Sequence, residues 1–233
     1  MRTSMSQTLA RVLGFLLIFG GATIAVAKTV VEDGVKAPNS DYSSVNKSLR
    51  VGRNAEVGDL DTVNGSIRVG SGSVVGRVQS VNGGINIESG VQATSVETVN
   101  GGIHLDSGVN VTGDVESVNG GINMRDGGEI GGGVATVNGQ IRLNDVKLNG
   151  NITTYNGEIK LEGDTEVLGE ITVKKSRHNG YFKRDKPTVI SIGPDVVVHG
   201  DLFFEKSVEL HIDSSASVGE IRGEEFVKNR QYK

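Results

Sequence analysis

Histidine is the first residue type in this sequence that could do chemistry, and it occurs at positions 104, 178, 199 and 211. None of these histidines stands at the spacing of a metal-binding motif or beside a suitable nucleophile. His104 lies between Ile103 and Leu105, and strand geometry would point it away from both. We therefore predict exposed, structural roles for the four histidines.

Acidic residues form a second candidate, because they recur just after short apolar pairs. Glu88, Asp106 and Glu162 directly follow such pairs, and Asp126 and Asp145 come one position later. Stacked carboxylates can hold Ca²⁺, and paired carboxylates in a groove can cleave glycosides or polyuronates. However, non-acidic residues interrupt the column and glycine-rich turns surround it. The pattern favours solvated turns, so no catalytic, cofactor-binding or metal-binding residue is predicted.

Polar residues form a third candidate. Each coil of the repeat described below contributes one of them, and together they are predicted to form a row. Its members are Arg68, Asn86, His104, Asn123, Arg142 and Lys160. The row has a basic bias and is suited to an acidic glycan or a phosphorylated envelope polymer. The alternative interpretation is an ordinary hydrated face.

A basic segment at 174–186 is the fourth candidate, with six basic residues and one acid. Insertions on a rigid scaffold often carry function, and cations beside aromatic rings suit an anionic surface or partner. The alternative is a solvated loop. The predicted anion or partner contacts are Lys174, Lys175, Arg177, Tyr181, Phe182, Lys183 and Arg184.

A repeated phrase must position all these residues. Val-Asn-Gly-Gly-Ile occurs at Val81–Ile85, Val99–Ile103 and Val118–Ile122, with looser copies elsewhere. The asparagines of the seven copies are 18 or 19 residues apart: Asn46, Asn64, Asn82, Asn100, Asn119, Asn138 and Asn156. Such a regular period indicates a stacked repeat architecture.

Apolar pairs spaced by two residues follow each turn, as in Ile85/Ile87 and Ile103/Leu105. This is the spacing of a strand with one buried face, and stacking the repeats would bury that face. We predict an all-β fold, a single-stranded parallel β-helix (β-solenoid). It would have 18 or 19 residues per coil and roughly nine coils. We predict a right-handed coil, since parallel crossovers usually are right-handed; the alternative is a left-handed hexapeptide helix, which also has about 18 residues per coil.

The Asn-Gly dipeptide is predicted to form a corner of each coil. Asparagine and glycine tolerate left-handed backbone better than other residues. Stacked asparagines can also exchange amide hydrogen bonds along the column. We therefore predict a structural turn ladder rather than a ligand site.

The boundaries follow from composition. Residues 1–27 have the basic start, apolar run and Ala25-Val26-Ala27 ending of a signal peptide. The alternative is an uncleaved membrane anchor, for which the apolar run is shorter than the ~20 residues that a spanning helix needs. A linker is predicted at 28–43, regular repeats at 44–173, the basic inserted loop at 174–188, degenerate coils at 189–222 and a C-terminal tail or cap at 223–233. The chain has no cysteine and a net charge of −4, which excludes thiolate chemistry and gives no general attraction to nucleic acid.

The repeat resembles two groups of bacterial β-helix proteins. The pattern beginning at Val111-Thr-Gly-Asp-Val and running through Val118–Ile122 is similar to an adhesin-type repeat family of unknown function. Val198-His-Gly-Asp-Leu202 and Ser217-Val-Gly-Glu-Ile221 resemble the bactofilins, which are polymer-forming cytoskeletal proteins. The likeness covers residues 45 to 221 and implies a β-helix fold, with no catalytic residue to carry over. A bactofilin is expected in the cytoplasm, whereas this chain has an export signal.

These observations favour an exported, non-enzymatic β-helix that acts as a structural or adhesive module of the bacterial cell envelope, in the periplasm or at the cell surface. Its predicted partner is an anionic envelope glycan or another envelope protein, without a cofactor. The alternatives are a self-polymerising, bactofilin-like scaffold or homo-oligomer and a glycan-binding or glycan-cleaving β-helix.

Overall fold

The protein is a parallel β-solenoid of about ten coils. A computed structural model describes residues 29–175 and 186–232. The described residues form short strands and one 3₁₀ turn, Glu224–Phe226. None of the helical structure in these ranges is long and apolar enough to cross a membrane.

The strands are two to seven residues long and follow one another through tight turns. The first part of the chain contains β1 (Val30–Val31), β2 (Lys36–Ala37), β3 (Tyr42–Ser44), β4 (Leu49–Val51), β5 (Glu56–Val57), β6 (Leu60–Thr62), β7 (Ile67–Val69), β8 (Val74–Ser80), β9 (Ile85–Ile87), β10 (Gln92–Thr98), β11 (Ile103–Leu105), β12 (Val109–Val111), β13 (Val115–Ser117) and β14 (Ile122–Met124). The second part contains β15 (Gly128–Ile130), β16 (Val134–Thr136), β17 (Ile141–Asn144), β18 (Lys147–Leu148), β19 (Ile152–Thr154), β20 (Ile159–Glu162), β21 (Glu166–Val167), β22 (Ile171–Val173), β23 (Thr188–Ile192), β24 (Val197–Val198), β25 (Leu202–Phe204), β26 (Val208–Ile212), β27 (Ser217–Val218), β28 (Ile221–Arg222) and β29 (Val227–Tyr232).

Each coil contributes strand residues to three faces, and every strand pair is parallel. Face 1 is an 11-stranded sheet that runs β1, β4, β7, β9, β11, β14, β17, β20, β23, β26 and β29. Face 2 contains β2, β5, β12, β15, β18, β21, β24 and β27, and face 3 contains β3, β6, β13, β16, β19, β22, β25 and β28. The longer strands β8 and β10 pass through faces 2 and 3 without a break. The right-handed sense of the coil stays a prediction.

The predicted files of identical side chains are confirmed. Ile85 pairs with Ile103, which pairs with Ile122 on the next coil. Inward residues alternate with outward ones in nearly every strand, and the inward ones are at most a few per cent exposed. Because each coil covers the apolar face of its neighbour, the core is a thin column of Val, Ile and Leu along the whole stack.

A buried file of Ser and Thr hydroxyls stabilises the turns from inside. Thr98, for example, is 2% exposed, and its hydroxyl donates a 3.0 Å hydrogen bond to the carbonyl of Gly83 in the preceding coil. Ser80 and Ser117 make the same bond to Gly65 and Gly101. These hydroxyls therefore satisfy carbonyl groups that would otherwise be buried unpaired at the corner.

The predicted reason for glycine at the Asn-Gly corner is wrong. The turn residues do not have positive φ values, and glycine is needed there because successive turns touch. A Cβ added at Gly120 would overlap the carbonyl group of Gly101 and would also lie 2.9 Å from the amide nitrogen of Gly102. Close stacking of backbones, rather than left-handed conformation, selects this glycine.

The left-handed corner lies instead after the face 1 strand, where the chain enters face 2. Its residues have φ values between 53° and 85° in most coils: Gly34, Asn54, Gly72, Gly90, Gly108, Asp126, Gly127, Asp145, Gly163 and Asp195. Glycine, asparagine and aspartate are the residues that tolerate this conformation best. This explains why small or acidic residues follow the apolar pairs.

The predicted linker at 28–43 belongs to the solenoid. β1 pairs with β4, β2 with β5 and β3 with β6. Val31 is 3% exposed, and Val35 and Tyr42 pack against the core. The segment lacks the Asn-Gly phrase but keeps enough inward apolar residues to form a first coil, which explains why about ten coils are present rather than nine.

The two segments after the regular repeats also differ in detail from the prediction. Thr188, predicted to end the inserted loop, is already buried in β23. The predicted tail or cap at 223–233 forms the 3₁₀ turn and then β29, which pairs with β26 and extends face 1. The predicted signal peptide at 1–27 and the loop residues 176–185 lie outside the described residues.

Candidate functional site on face 1

Face 1 places the predicted polar row in a single file on the outer surface. The strand register aligns the side chains of Arg50, Arg68, Asn86, His104, Asn123, Arg142, Lys160, Ser191 and His211. Neighbours in the file are ~4.8 Å apart, the spacing of hydrogen-bonded strands. The structure thus brings all six predicted members of the row together and adds one cation at the N-terminal end.

Carboxylates pair with the cations on either side of the row's centre. Arg68 Nε lies 2.9 Å from Glu88 Oε1, and Lys160 Nζ lies 2.6 Å from Glu162 Oε1. Between them, Arg142 makes its hydrogen bond to a neutral group, the side-chain oxygen of Gln140 at 3.3 Å. The positive charge at the centre of the row is therefore less compensated than at its flanks.

His104 lies at this centre between two polar neighbours. The amide group of Asn123 is 3.2 Å from its Nδ1, and Arg125 Nη2 is 3.4 Å from its Nε2. Both groups approach the ring through nitrogen atoms, Asn123 Nδ2 and Arg125 Nη2, and the tautomer of His104 decides which ring nitrogen accepts. Arg125 is the only cationic hydrogen-bond partner of His104 among the described residues.

A groove of about 320 Å³ opens beside these side chains, next to the Asn-Gly corner. Backbone atoms of Gly102 and Gly121 line one side. The polar lining consists of His104, Asn123, Gln140 and Arg142. The groove therefore combines exposed peptide groups with amide, imidazole and guanidinium donors, a donor set that suits an anionic or hydroxyl-rich ligand.

The asparagine ladder is continuous, as predicted. Each amide nitrogen donates to the side-chain oxygen of the asparagine one coil earlier, at 2.8–3.0 Å, from Asn156 back to Asn46. Lys206 Nζ donates to the last free oxygen, that of Asn156. The amide groups bind one another along the ridge, which supports a structural role.

The predicted acidic column does not form a metal site. Glu88 and Glu162 bind the cations described above, and Asp145 Oδ1 accepts the backbone N–H of Asp164 at 2.9 Å. No group of three or more metal-binding side chains occurs within residues 29–175 and 186–232. Of the described histidines, His199 and His211 contact Glu166 and Glu209.

An acidic patch on face 3 escaped the sequence analysis. The outward file there runs Ser43, Asp61, Gln79, Glu97 and Glu116. Asp61 Oδ1 is buried and has no hydrogen-bond partner among the described residues. Burial raises the pKa of Asp61 to about 6, and Arg77 opposes this shift while Asp59 and other acids add to it. The sequence could have indicated the outward position of Asp61, because side chains alternate along a strand and Asp61 stands between the inward residues Leu60 and Thr62.

The predicted contacts in the basic segment are only partly described. The backbone N–H of Lys174 donates to the carbonyl of Thr154, and that of Lys175 donates to the carboxylate of Glu205 at 3.0 Å. These bonds tie the start of the insertion to the neighbouring coils. Arg177, Tyr181, Phe182, Lys183 and Arg184 lie outside the described residues.

Comparisons with known proteins add no family assignment. No protein-family model matches the chain, and no curated protein or solved structure is significantly similar to it. The adhesin-type and bactofilin resemblances therefore stay resemblances of motif, and the function must be inferred from the fold and the surface.

Proposed function

We propose that the protein is an exported, non-enzymatic β-solenoid that serves as a structural or adhesive module of the cell envelope. The single-file polar row on face 1 is the observation that carries this proposal. A row with the same spacing at every coil suits a polymer, because successive units of the polymer meet equivalent positions. The basic bias of the row favours an anionic envelope glycan as the partner.

Export is supported by the signal-peptide pattern at 1–27. The test is to fractionate cells that produce the full chain and, as a matched control, the chain without residues 1–27. We expect the full chain in the envelope or medium and the shortened chain in the cytoplasm. A full chain that stays in the cytoplasm would contradict the proposal.

Envelope binding needs a second measurement. Purified protein is mixed with isolated envelope material and sedimented at low and high ionic strength. Exposed charge pairs weaken as salt screens them, so we expect co-sedimentation at low salt and release at high salt. Sedimentation that does not depend on the envelope material would argue against the adhesive role.

The basic segment can be tested separately in the same assay. The variant replaces Lys174, Lys175, Arg177, Lys183 and Arg184 by Ser. Unchanged co-sedimentation would exclude this segment as the envelope contact and leave face 1 as the binding surface. Loss of co-sedimentation would assign the contact to the segment.

A self-polymerising scaffold is the second candidate, favoured by the open ends of the stack. β1 and β29 are the first and last strands of the face 1 sheet, and each pairs on one side only among the described strands. Open strand edges can pair with another chain. A concentration series in the analytical ultracentrifuge tests this: growing filaments support the scaffold, whereas a monomer at high concentration excludes it.

Glycan cleavage has less support than glycan binding. Cleavage needs two carboxylates in one groove, whereas the groove on face 1 is lined by neutral and basic side chains. A screen for release of sugar from acidic polysaccharides checks this alternative.

A further inference from the structure

The groove on face 1 lies where consecutive coils carry glycine and other coils carry a side chain. The second residue after the ladder asparagine is Ser48, Ser66, Gln140 or Glu158 in four coils, and it is Gly84, Gly102 and Gly121 in the three coils between them. Of these glycines, Gly102 and Gly121 line the groove, which extends as far as Gln140 of the next coil.

Stacking does not require glycine at this position. A Cβ added at Gly102 would come no closer than 3.4 Å to another atom, the carbonyl oxygen of Gly121, which is an ordinary contact. The preceding glycine, Gly101, differs sharply, because a Cβ there would overlap the carbonyl of Gly83. The first glycine of the pair is thus fixed by the fold, whereas the second leaves a space that a side chain could fill.

Cations border this space. Arg142 lines the groove, and Arg125 makes a long 3.4 Å contact with His104, which also lines it. A single 3.4 Å contact to a histidine nitrogen holds a guanidinium weakly compared with a carboxylate or phosphate, which binds the planar fork through two hydrogen bonds. An anionic group entering the groove would therefore attract both guanidinium groups.

The remaining lining suits sugar hydroxyls. Asn123 and Gln140 supply amide groups, and Gly102 and Gly121 add peptide groups to the lining. Successive coils repeat at ~4.8 Å along the groove, which is close to the length of one sugar residue in an extended chain. Both the chemistry and the direction of the groove match an elongated acidic oligosaccharide.

We propose that the groove lined by Gly102, Gly121, His104 and Arg142 binds a carboxylate- or phosphate-bearing sugar residue of an acidic glycan, with Arg125 and Arg142 holding the anionic group. This inference rests on the proposed envelope function and specifies its ligand site. It assigns the recognition to the centre of the row rather than to its ends.

Titration calorimetry on the purified protein tests the site, with an oligomer of galacturonic acid as the probe. A neutral galactose oligomer and inorganic phosphate are titrated in parallel. We expect binding of the acidic oligomer and none of the neutral one. Inorganic phosphate that binds as tightly as the acidic oligomer would overturn the glycan assignment, as would failure of the acidic oligomer to bind.

The double variant Arg125→Gln and Arg142→Gln identifies the cations. Hydrogen bonds to charged groups are worth about 1.5–3 kcal/mol each, so we expect a loss of at least tenfold in affinity. The double variant Arg53→Gln and Lys147→Gln is the matched control, since it removes two exposed positive charges outside the row and the groove, and we expect less than a twofold effect. Equal losses in the two variants would show diffuse attraction and overturn the site.

Gly102→Gln tests the cavity without changing charge. The coil at Gln140 already carries this side chain at the equivalent position, so the variant is expected to fold, which its circular dichroism would verify. Binding should fall at least tenfold because the side chain fills the groove. Unchanged affinity in a folded variant would place the ligand elsewhere. None of these measurements depends on export, so failure of the groove and failure of the envelope function are distinguishable.

Discussion

The ammonium group of Lys206 donates a 3.2 Å hydrogen bond to the side-chain oxygen of Asn156, which lies 50 residues earlier in the chain. Lys206 is 7% exposed. Thr154, Val173 and Phe204 stand in register, so Lys206 stands two coils after Asn156 at the same corner, and the coil between them carries the insertion at 174–187 in place of an asparagine. The lysine side chain reaches across this interruption and ends the amide ladder with a charged donor.

The ladder leads to a first prediction, about stability. Asn100 donates to Asn82 and accepts from Asn119, so Asn100→Ala removes two hydrogen bonds. We expect a loss of about 1–2 kcal/mol in the free energy of unfolding, because each bond contributes about 0.5–1.5 kcal/mol. Chemical denaturation measures it. Asn110→Ala on face 2 is the control and should change stability by less than about 0.5 kcal/mol; equal losses in the two variants would refute a stabilising ladder.

The second prediction separates the two glycines of the repeated phrase. Gly120→Ala places a Cβ against the carbonyl of Gly101, so the stacked turns must move apart. We expect a loss of more than about 3 kcal/mol, at the upper end of single substitutions. Gly102→Ala meets its nearest atom at 3.4 Å and should cost less than about 1 kcal/mol. Thermal melting of the two variants compares them, and similar melting temperatures would mean that the turns are not in contact.

The third prediction concerns pH. The pKa of Asp61 is raised from 3.8 to about 6, so ionising this carboxyl costs more in the folded protein than in the unfolded chain. The folded protein therefore loses stability as pH rises from 3.8 to about 6. Asp61→Asn removes this cost, and we expect it to stabilise the protein by up to about 3 kcal/mol above pH 6, with the gain vanishing below pH 4.

Asp59→Asn serves as the control for this measurement. Asp59 Oδ2 lies 2.6 Å from Arg77 Nη2, and the substitution breaks this ion pair. It should therefore not stabilise the protein at neutral pH. If Asp61→Asn gives no gain at pH 7, or the same gain at pH 4, the buried carboxyl is not the source of the pH dependence.

Much of the fold could be predicted because the period of two in Ile103/Leu105 and the period of 18 or 19 between asparagines are both visible in the sequence. The role of the corner glycines could not be predicted from the sequence. Glycine is selected both by positive φ at Gly90 and by close approach at Gly101, and the residue type alone does not separate these causes. The first coil was missed because it keeps inward apolar residues such as Val31 without the repeated phrase.

Part of the candidate site could be predicted from the same two patterns, the alternation along a strand and the regular period of the coils. Alternation around His104 places it outward, and the fixed period aligns it with Asn123 and Arg142. Arg125 follows the end of β14, so the strand periodicity does not assign it to the row. In the sequence it is one of the non-acidic residues that interrupt the acidic column, and its contact with His104 is visible only in the structure. The groove is lined by residues of three successive coils, Gly102, Gly121 and Gln140 among them, and only the stacked structure brings these together.

Coil number, rather than sequence separation, sets the distances between residues along face 1. Pulsed electron paramagnetic resonance with spin labels at 50 and 142, and in a second sample at 104 and 211, measures these distances. Each pair spans five coil steps, but the second pair also includes the insertion at 174–187. We predict the same backbone separation of ~24 Å for both pairs, at the spacing of parallel strands. A clearly longer distance for the second pair would contradict the continuous stack on which the proposed binding face depends.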